Sequence, residues 1–301
     1  MNAHTDNPIA QIKSRQAQLV KALKPILPVH ALLWEPEDTI PYECDGLAAY
    51  KRMPLAVALP ETEEQVAQIL KICYAMQIPV VPRGSGTGLS GGAMPLSQGL
   101  VLSLGKLKKF ISFDPFSRTA VVQPGVRNLA ISEAVAHLGL YYAPDPSSQI
   151  ACSIGGNVNE NSGGVHCLKY GLTLHNVLRV RGILMNGEIV EFGGLAPDAP
   201  GLDLLAIMMG SEGMLAVVTE VTVKLVAKPK LARVIMASFD DIEKGGNAVA
   251  AIIAAGIIPA GLEMMDKATT RAVEEFVHAG YDLDAAAILL CESDGTPEEV
   301  A

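Results

Sequence analysis

Aromatic and charged residues are scarce in this chain, and features that define several protein classes are missing. Only 5% of the 301 residues are aromatic and 18% are charged, and the net charge of −9 comes without any cluster of lysine and arginine. A nucleic-acid-binding protein needs such a basic cluster to meet the phosphate backbone. Nucleic acid is therefore excluded as an expected partner.

Membrane-spanning runs, a secretion signal and paired cysteines are lacking as well. The longest apolar run, residues 248–262, contains two glycines and one proline and is shorter than the roughly 20 residues that span a bilayer. The first residues lack a basic region followed by an apolar core, so no secretory signal is predicted. Five scattered cysteines without a C-x-x-C pair favour reduced thiols, and hence a cytoplasmic protein.

Glycine, proline and apolar residues, in contrast, are plentiful. The chain has 28 glycines and 19 prolines, and half of its residues are hydrophobic. Frequent turns together with a large apolar fraction are typical of a mixed chain of helices and strands. The length suits one large or two medium domains.

The densest cluster of glycine lies between Gly84 and Gly92, where five of nine residues lack a side chain. Glycines at this density predict backbone with positive φ and close approach of a ligand. The apolar residues 79–81 predict a short strand before the loop, whose successive N–H groups would then point into one concavity. We expect a phosphate there; the alternative is a surface loop without a ligand.

Two familiar phosphate-binding motifs do not fit this loop. Residues 86–91 match G-x-G-x-x-G, but the dinucleotide fingerprint requires a helix that begins within the glycines. Gly92 and Pro95 follow instead, and no helical period begins. No Lys-Ser or Lys-Thr follows for a Walker loop, so a nicotinamide-dependent Rossmann enzyme is disfavoured and a different kind of phosphate loop is predicted.

The pattern of elements predicts an α+β chain. An amphipathic helix over residues 9–27 forms a docking arm, residues 34–45 are coil, and residues 55–81 form a β-α-β unit. Short strands follow, with a hairpin at Asn186-Gly187. Beyond residue 229 the order β-α-β-α-β is that of a ferredoxin-like domain, which looks incomplete at residue 301.

A second unusual stretch covers residues 144–164. It offers small, amide and hydroxyl side chains with few charges, which suits backbone lying against a flat, hydrogen-bonding ring system. Ile150, Ile154 and Val158 recur every four residues and predict an anchored turn or short helix. An unstructured polar loop is the alternative.

Three separated motifs resemble one family. They are residues 82–92 (PRGSGTGLSGG), 154–164 (IGGNVNENSGG) and 210–220 (GSEGMLAVVTE). Together they are similar to the FAD-linked oxidases of the vanillyl-alcohol oxidase and p-cresol methylhydroxylase (PCMH) type, within the branch of the glycolate oxidase flavoprotein subunit and the D-lactate and D-2-hydroxyglutarate dehydrogenases. The resemblance covers about residues 40 to 295.

The resemblance implies a fold and a set of domains. A two-lobed PCMH-type FAD-binding domain, made of a small α/β lobe and an antiparallel lobe, would occupy residues 31–228 after an N-terminal arm at 1–30. An incomplete ferredoxin-like cap would occupy 229–301.

The resemblance also implies FAD-binding residues in three groups. The diphosphate would lie on the loop, the flavin and ribityl chain on the second stretch, and the adenine end near the third motif. The implied residues are Arg83, Gly84, Ser85, Gly86, Thr87 and Gly88; Pro144, Asp145, Gly155, Gly156, Asn159, Asn161, Ser162 and Gly164; and Glu212, Gly213 and Val218.

The implied activity is oxidation of a small 2-hydroxy acid, such as glycolate or D-lactate, with electrons passing on to an acceptor other than oxygen. FAD is expected to be noncovalent, with His166 and Cys167 as the alternative attachment points. No catalytic residue and no metal site is predicted before Ala301; the family's base, carboxylate clamp and divalent metal belong to the later cap.

The resemblance implies partners too: a second flavin-domain subunit and an iron–sulfur subunit, with attachment to the inner membrane through them as one option. The competing hypothesis is a non-catalytic FAD-binding or interaction subunit of such a complex.

Overall fold

The computed structural model of the chain describes residues 8–196 and 200–301. These residues form two lobes and a cap, each built around its own β-sheet. The mixed α+β architecture and the two-lobed arrangement are therefore confirmed. The start of the predicted arm, residues 1–7, lies outside the described residues.

The first lobe contains a four-stranded sheet in the order β1-β2-β4-β3. Strands β2, β4 and β3 are parallel, and β1 adds an antiparallel edge. The elements are α1 (Pro8–Leu23), β1 (Leu32–Leu33), α2 (Pro36–Thr39), β2 (Ala56–Ala58), α3 (Glu63–Ala75), β3 (Val80–Arg83) and β4 (Leu100–Ser103). The predicted β-α-β unit is confirmed as β2-α3-β3.

Helix α3 begins where the sequence predicts because Thr62 and Gln65 form a capping box. The Thr62 hydroxyl accepts from the Gln65 N–H at 3.2 Å, and the Gln65 side chain accepts from the Thr62 N–H at 3.3 Å. These bonds satisfy donors that a helix start otherwise leaves free. The apolar face of α3 is fully buried against the sheet.

Helix α1 also packs on this lobe, with Leu19 and Leu23 fully buried. The prediction of coil over residues 34–45 is wrong, since α2 and a 3-10 turn (Ile40–Tyr42) lie there. Pro36 and Pro41 each occupy an early helical position, where a missing N–H costs nothing. The segment then continues across the glycine loop.

The second lobe contains a five-stranded antiparallel sheet in the order β5-β6-β10-β8-β9, beside a small β11-β7 pair. The Asn186-Gly187 hairpin is confirmed between β8 and β9. The elements are β5 (Phe110–Asp114), β6 (Thr119–Val122), α4 (Asn128–Val135), β7 (Leu140–Tyr141), α5 (Ile154–Glu160), α6 (Cys167–Tyr170), α7 (Thr173–Asn176), β8 (Val177–Ile183), β9 (Ile189–Gly193), α8 (Leu204–Met208), β10 (Val217–Lys224) and β11 (Val226–Ala227).

The cap has a three-stranded sheet in the order β12-β14-β13, with β14 antiparallel to both neighbours. The elements are β12 (Leu231–Phe239), α9 (Ile242–Ala254), β13 (Gly261–Asp266), α10 (Lys267–Val277), β14 (Ala287–Gly295) and α11 (Pro297–Val300). Strands β12 and β13 are joined through α9 and are split by β14. This split β-α-β unit agrees with the predicted ferredoxin-like type.

Candidate functional site

The glycine loop, helix α5 and the loop before α5 enclose a cavity of about 320 Å³. The cavity also receives Asp45 from the segment before β2 and Glu212 from the turn before β10. Of the residues that the sequence singled out, those lining it are Gly84, Ser85, Gly86, Thr87, Gly88, Gly156, Asn159, Ser162 and Glu212. The three motifs therefore meet at one place.

The glycine loop leaves the end of β3 and continues without a helix to β4, as the sequence predicts. Within it only Gly86 and Gly91 have positive φ, of 72° and 80°. Two of the others lie against side chains from distant parts of the chain, tightly at Gly84 and against the movable end of a glutamate at Gly92. A Cβ on Gly84 would lie 2.2 Å from Ser153 Oγ, and one on Gly92 would lie 2.1 Å from Glu212 Oε2.

Arg83 is buried and lies behind the loop; it is not among the cavity-lining residues. Its Nη1 donates to the Cys44 carbonyl at 2.6 Å, and its guanidinium lies 5.6 Å from the centre of the Tyr42 ring. A Cβ on Gly86 would lie 2.3 Å from Arg83 Nη2. Burial lowers the pKa of Arg83. The side chain thus supports the loop from below.

Helix α5 forms the opposite wall of the cavity. Ile154 and Val158 are fully buried and anchor it, as predicted, whereas Ile150 is 65% exposed, so its predicted anchoring role is wrong. The buried pair places Ser153, just before the helix, and Asn157, one turn later, on the cavity side. Asn161, with φ of 54°, ends the helix.

Four buried polar atoms that line this cavity have no hydrogen-bond partner: Asp45 Oδ2, Ser153 Oγ, Asn157 Nδ2 and Asn159 Oδ1. Leaving one such atom unpaired costs about 1–3 kcal/mol. The set combines two acceptors with two groups able to donate. A ligand that carries both hydroxyl or N–H donors and acceptor oxygens would satisfy them all.

The charged groups at the cavity are acidic. Asp45, Glu160 and Glu212 line it, and no lysine or arginine is among its described lining residues. Burial, with the neighbouring Glu160 and Asp45 carboxylates, raises the pKa of Glu212. Glu160 accepts from the Ser90 hydroxyl at 3.0 Å. An anionic group bound here has to be met by main-chain and side-chain N–H and O–H donors.

Several residues that the resemblance implicates lie beside the cavity. Gly155 packs on Pro124, where a Cβ would come within 2.5 Å of the proline Cβ. The Pro144 carbonyl accepts from Asn128 Nδ2 at 3.0 Å, and Asn161 Oδ1 accepts from the Leu174 N–H at 3.0 Å. These three contacts shape the wall.

The remaining implicated residues lie at its margins. Gly164 packs against Asp145, which pairs with His166. Val218 is fully buried in the sheet core. Gly213 lines a neighbouring cavity of about 490 Å³ between α3, β3 and β10. None of the described residues around that second cavity carries an unpartnered buried polar atom, so the smaller cavity is the better candidate site.

Sequence reasoning missed Asp45, Ser153, Asn157 and Glu160. Ser153 and Asn157 stand four residues apart, a spacing that places two side chains on the same side of a helix, and this signal was present in the sequence. Asp45 carries no comparable signal. It reaches the cavity because Gly46 packs on the loop, where a Cβ would lie 2.8 Å from the Gly88 carbonyl oxygen.

Residues 8–196 and 200–301 contain neither a cluster of metal-ligating side chains nor a membrane-spanning helix. No group of three or more histidine, cysteine, aspartate or glutamate side chains is placed to hold a metal ion. None of the helices in these ranges is long and apolar enough to cross a membrane.

Two family descriptions match the chain. Residues 54–193 match the FAD binding domain, and residues 228–301 match the C-terminal domain of FAD linked oxidases. The first match contains the glycine loop and α5, and the second contains the cap.

Curated proteins that are similar in sequence agree with these two matches. The chain is 59% identical over 285 residues to glycolate oxidase subunit GlcD of Escherichia coli (strain K12), covering 95% of this chain and 57% of that protein. It is 44% identical over 260 residues to glycolate oxidase subunit GlcD of Bacillus subtilis (strain 168), covering 86% of this chain and 55% of that protein. D-lactate dehydrogenase of Anaerostipes hadrus is 31% identical over 290 residues, covering 94% and 61%. The chain thus spans little more than half the length of these two GlcD proteins.

Solved structures share the fold at low identity. An alkyldihydroxyacetonephosphate synthase superposes with a TM-score of 0.81 at 20% identity, covering 94% of this chain and 57% of that one. p-Cresol methylhydroxylase with substrate bound gives 0.79 at 19% identity, covering 95% and 62%.

Proposed function

The chain belongs to the FAD-linked oxidases, and from this membership we propose that it binds FAD as the flavin-binding part of a 2-hydroxy-acid dehydrogenase, with the diphosphate and adjoining part of the cofactor in the 320 Å³ cavity. FAD offers phosphate oxygens as acceptors, ribose and ribityl hydroxyls as donors and acceptors, and an isoalloxazine ring with both. This chemistry matches the mixed set of unpartnered atoms on the cavity wall. That match is the observation on which the proposal rests.

Each part of the wall has a role in the proposal. The amides of residues 84–88 hold the diphosphate, because main-chain N–H groups exposed by missing side chains can gather around an anion. Ser153 and Asn157 donate hydrogen bonds to ligand oxygens. Asp45 and Asn159 accept from hydroxyl or ring N–H groups of the ligand.

The attachment of FAD is proposed to be noncovalent. Among the described residues, the His166 ring lies between two carboxylates, Asp145 and Glu292, and both of its nitrogens are engaged. A histidine held in this way is poorly placed to act as a nucleophile towards a flavin methyl group.

The substrate class comes from the relatives. Their names include glycolate oxidase subunits, D-lactate dehydrogenases and a D-2-hydroxyglutarate dehydrogenase, which all refer to 2-hydroxy acids. When bound, FAD supplies the acceptor for the hydride from the α-carbon of such an acid. The chain's own residues bind and orient that cofactor; none of them is assigned as the base.

A non-catalytic flavin-binding subunit is the second candidate. It is favoured by the names of the GlcD relatives, which are subunits of a glycolate oxidase. Further subunits of a glycolate-oxidase-type complex are proposed as partners in either case. Reduction of the bound flavin by glycolate or D-lactate under anaerobic conditions would favour the dehydrogenase, and a flavin that stays oxidised would favour the second candidate.

Purified chain reconstituted with FAD tests the cofactor directly. We expect visible flavin absorbance that stays with the protein, with FAD released by acid precipitation. In Asn157→Ala, loss of one hydrogen bond to the cofactor weakens FAD binding about 5- to 10-fold, whereas the free protein loses no hydrogen bond from Nδ2, which has no partner there. Asn247→Ala, on an exposed position of α9, is the matched control. A chain that retains no FAD after reconstitution contradicts the proposal.

A further inference from the structure

The joint segment, residues 162–170, runs from the cavity wall to the cap. Ser162 and Gly163 line the cavity, and Gly164 packs against Asp145. The last residues of the segment, in and just before α6, contact strands β13 and β14 of the cap. One short piece of chain therefore touches both the candidate flavin site and the domain beyond it.

The first contact of this segment with the cap is centred on Asp294 of β14, whose side chain is 3% exposed. Lys169 Nζ donates to its carboxylate and also to the Asp294 carbonyl at 2.8 Å, and the Tyr170 hydroxyl donates to the other carboxylate oxygen at 2.6 Å. Burial opposes the charge, but these donors outweigh burial and hold the pKa of Asp294 below its ordinary value.

The second contact is centred on His166. Its Nδ1 lies 2.6 Å from Asp145 Oδ2, and its Nε2 lies 3.4 Å from Glu292 Oε2 on β14. The hydrogen bond with Asp145 is the main cause that raises the pKa of His166 to about 9. At neutral pH the ring is therefore an imidazolium held between the Asp145 carboxylate of the second lobe and the Glu292 carboxylate of the cap.

We propose that the joint segment positions the cap relative to the cavity, through Lys169 and Tyr170 on Asp294 and through His166 on Glu292. A buried carboxylate with two donors accepts one geometry and penalises others, since any shift of β14 leaves a charge without partners. The connection between lobe and cap near residues 228–230 carries only main-chain bonds, from Lys228 N–H to Gly139 and from Lys230 N–H to Gly295. The side-chain contacts of the joint segment thus define the position of the cap on the second lobe.

The His166 contact makes the stability of this lobe–cap arrangement depend in part on pH. The groups facing His166 are Asp145 from the loop after β7, Tyr170 from α6, and Glu292 and Asp294 from β14. Tyr141 and Lys169 contact Tyr170 and Asp294 in turn. A histidine whose pKa is raised by folding contributes stability that is complete below its unfolded value of about 6.5 and is lost as the pH rises through its folded value.

Trypsin cleavage after Lys230 reports the position of the cap, because Lys230 is exposed and its N–H is bonded to the Gly295 carbonyl of β14, so a displaced cap frees the main chain there. The Lys228–Pro229 bond is not a trypsin site. We expect Lys169→Met to raise the rate of release of the cap fragment at least tenfold at pH 7.5. Lys169→Arg retains most of the protection. Lys224→Met, on the exposed end of β10, is the matched control and leaves the rate unchanged.

Asp294→Asn provides a second variant should Lys169→Met fold poorly, and far-UV circular dichroism checks the fold of both. For His166, the cleavage rate relative to a free peptide substrate should rise severalfold between pH 7 and pH 9.5 in the parent chain and stay flat in His166→Gln. Cleavage rates that Lys169→Met and Asp294→Asn leave unchanged would overturn the proposal. The readout needs no flavin, so it is independent of the FAD-binding experiment.

Discussion

Glu212 is the residue at which the backbone and the charge of the cavity are both unusual. Its φ of 54° lies in the left-handed region, and Gly213 follows with 73°. A side chain held in this region costs about 1–3 kcal/mol and tends to occur at functional sites. The turn brings a carboxylate into the notch left by Gly92 and beside the proposed path of an anionic cofactor.

The carboxylate of Glu212 should make FAD binding depend on pH. Because its pKa is already raised, its charge is lost as the pH falls through that raised value, and repulsion of the diphosphate falls with it. Fluorescence titration should show FAD bound more tightly at a pH below that raised value than at pH 8.

Glu212→Gln should bind FAD tightly at both pH values, and Glu263→Gln on β13 is the control that keeps the parent dependence. Equal affinity of the parent chain at both pH values would show that Glu212 does not face the diphosphate.

The amino-acid sequence alone was enough to predict some of the residues that line this cavity. The glycines of the loop and the run of amides could be recognised because their composition is unusual. Asp45 could not, since its position depends on how the segment before β2 crosses the loop. The expectation that loop glycines serve positive φ was correct for Gly86 and Gly91. At Gly84 the cause is contact with the distant Ser153 side chain, which no local pattern contains.

At the scale of elements, the position of α5 depends on its contact with Pro124. Gly155 has no room for a Cβ, which would lie 2.5 Å from the proline Cβ and 3.1 Å from its carbonyl oxygen. Gly155→Ala must therefore push the helix away from the loop before α4. Overpacking of this kind costs about 1–3 kcal/mol.

Urea denaturation should show this loss for Gly155→Ala, together with weaker FAD binding. Gly194→Ala is the matched control, because nothing lies within 4 Å of its Cβ position and its φ is not positive. Equal stability of the two variants would mean that α5 can shift without cost.

Elements with strong local signals were predicted best. Helix α3 has a capping box and a continuous apolar face, and the β8–β9 hairpin has Asn-Gly at its turn. Strand β1 and helix α2 were missed because they are short and are held by pairing with β2 and by proline geometry instead of by a periodic pattern.

At the scale of the molecule, the cap presents an apolar edge. Strand β12 is paired only with β14 among the described strands, and its residues Val234, Ile235 and Met236 are 56%, 68% and 47% exposed. An exposed apolar edge strand favours association with other chains.

Ile235→Lys should therefore reduce concentration-dependent association in light scattering while the melting temperature changes by less than about 2 °C, since surface substitutions rarely cost more than about 0.5 kcal/mol. Lys244→Ile adds an apolar group on exposed α9 and does not alter the edge strand. Association of this variant should not be weaker than that of the parent chain. Undiminished association in Ile235→Lys would place the contact elsewhere.

The cavity is assembled from residues that lie between Asp45 and Glu212 in the chain. During synthesis on a ribosome, its last wall cannot exist until translation has passed Glu212 and the turn has left the exit tunnel. Binding of the coenzyme is then a late event for a nascent polypeptide. A product translated from a transcript cut short before the Glu212 codon would lack this wall, and riboflavin starvation should not change its stability.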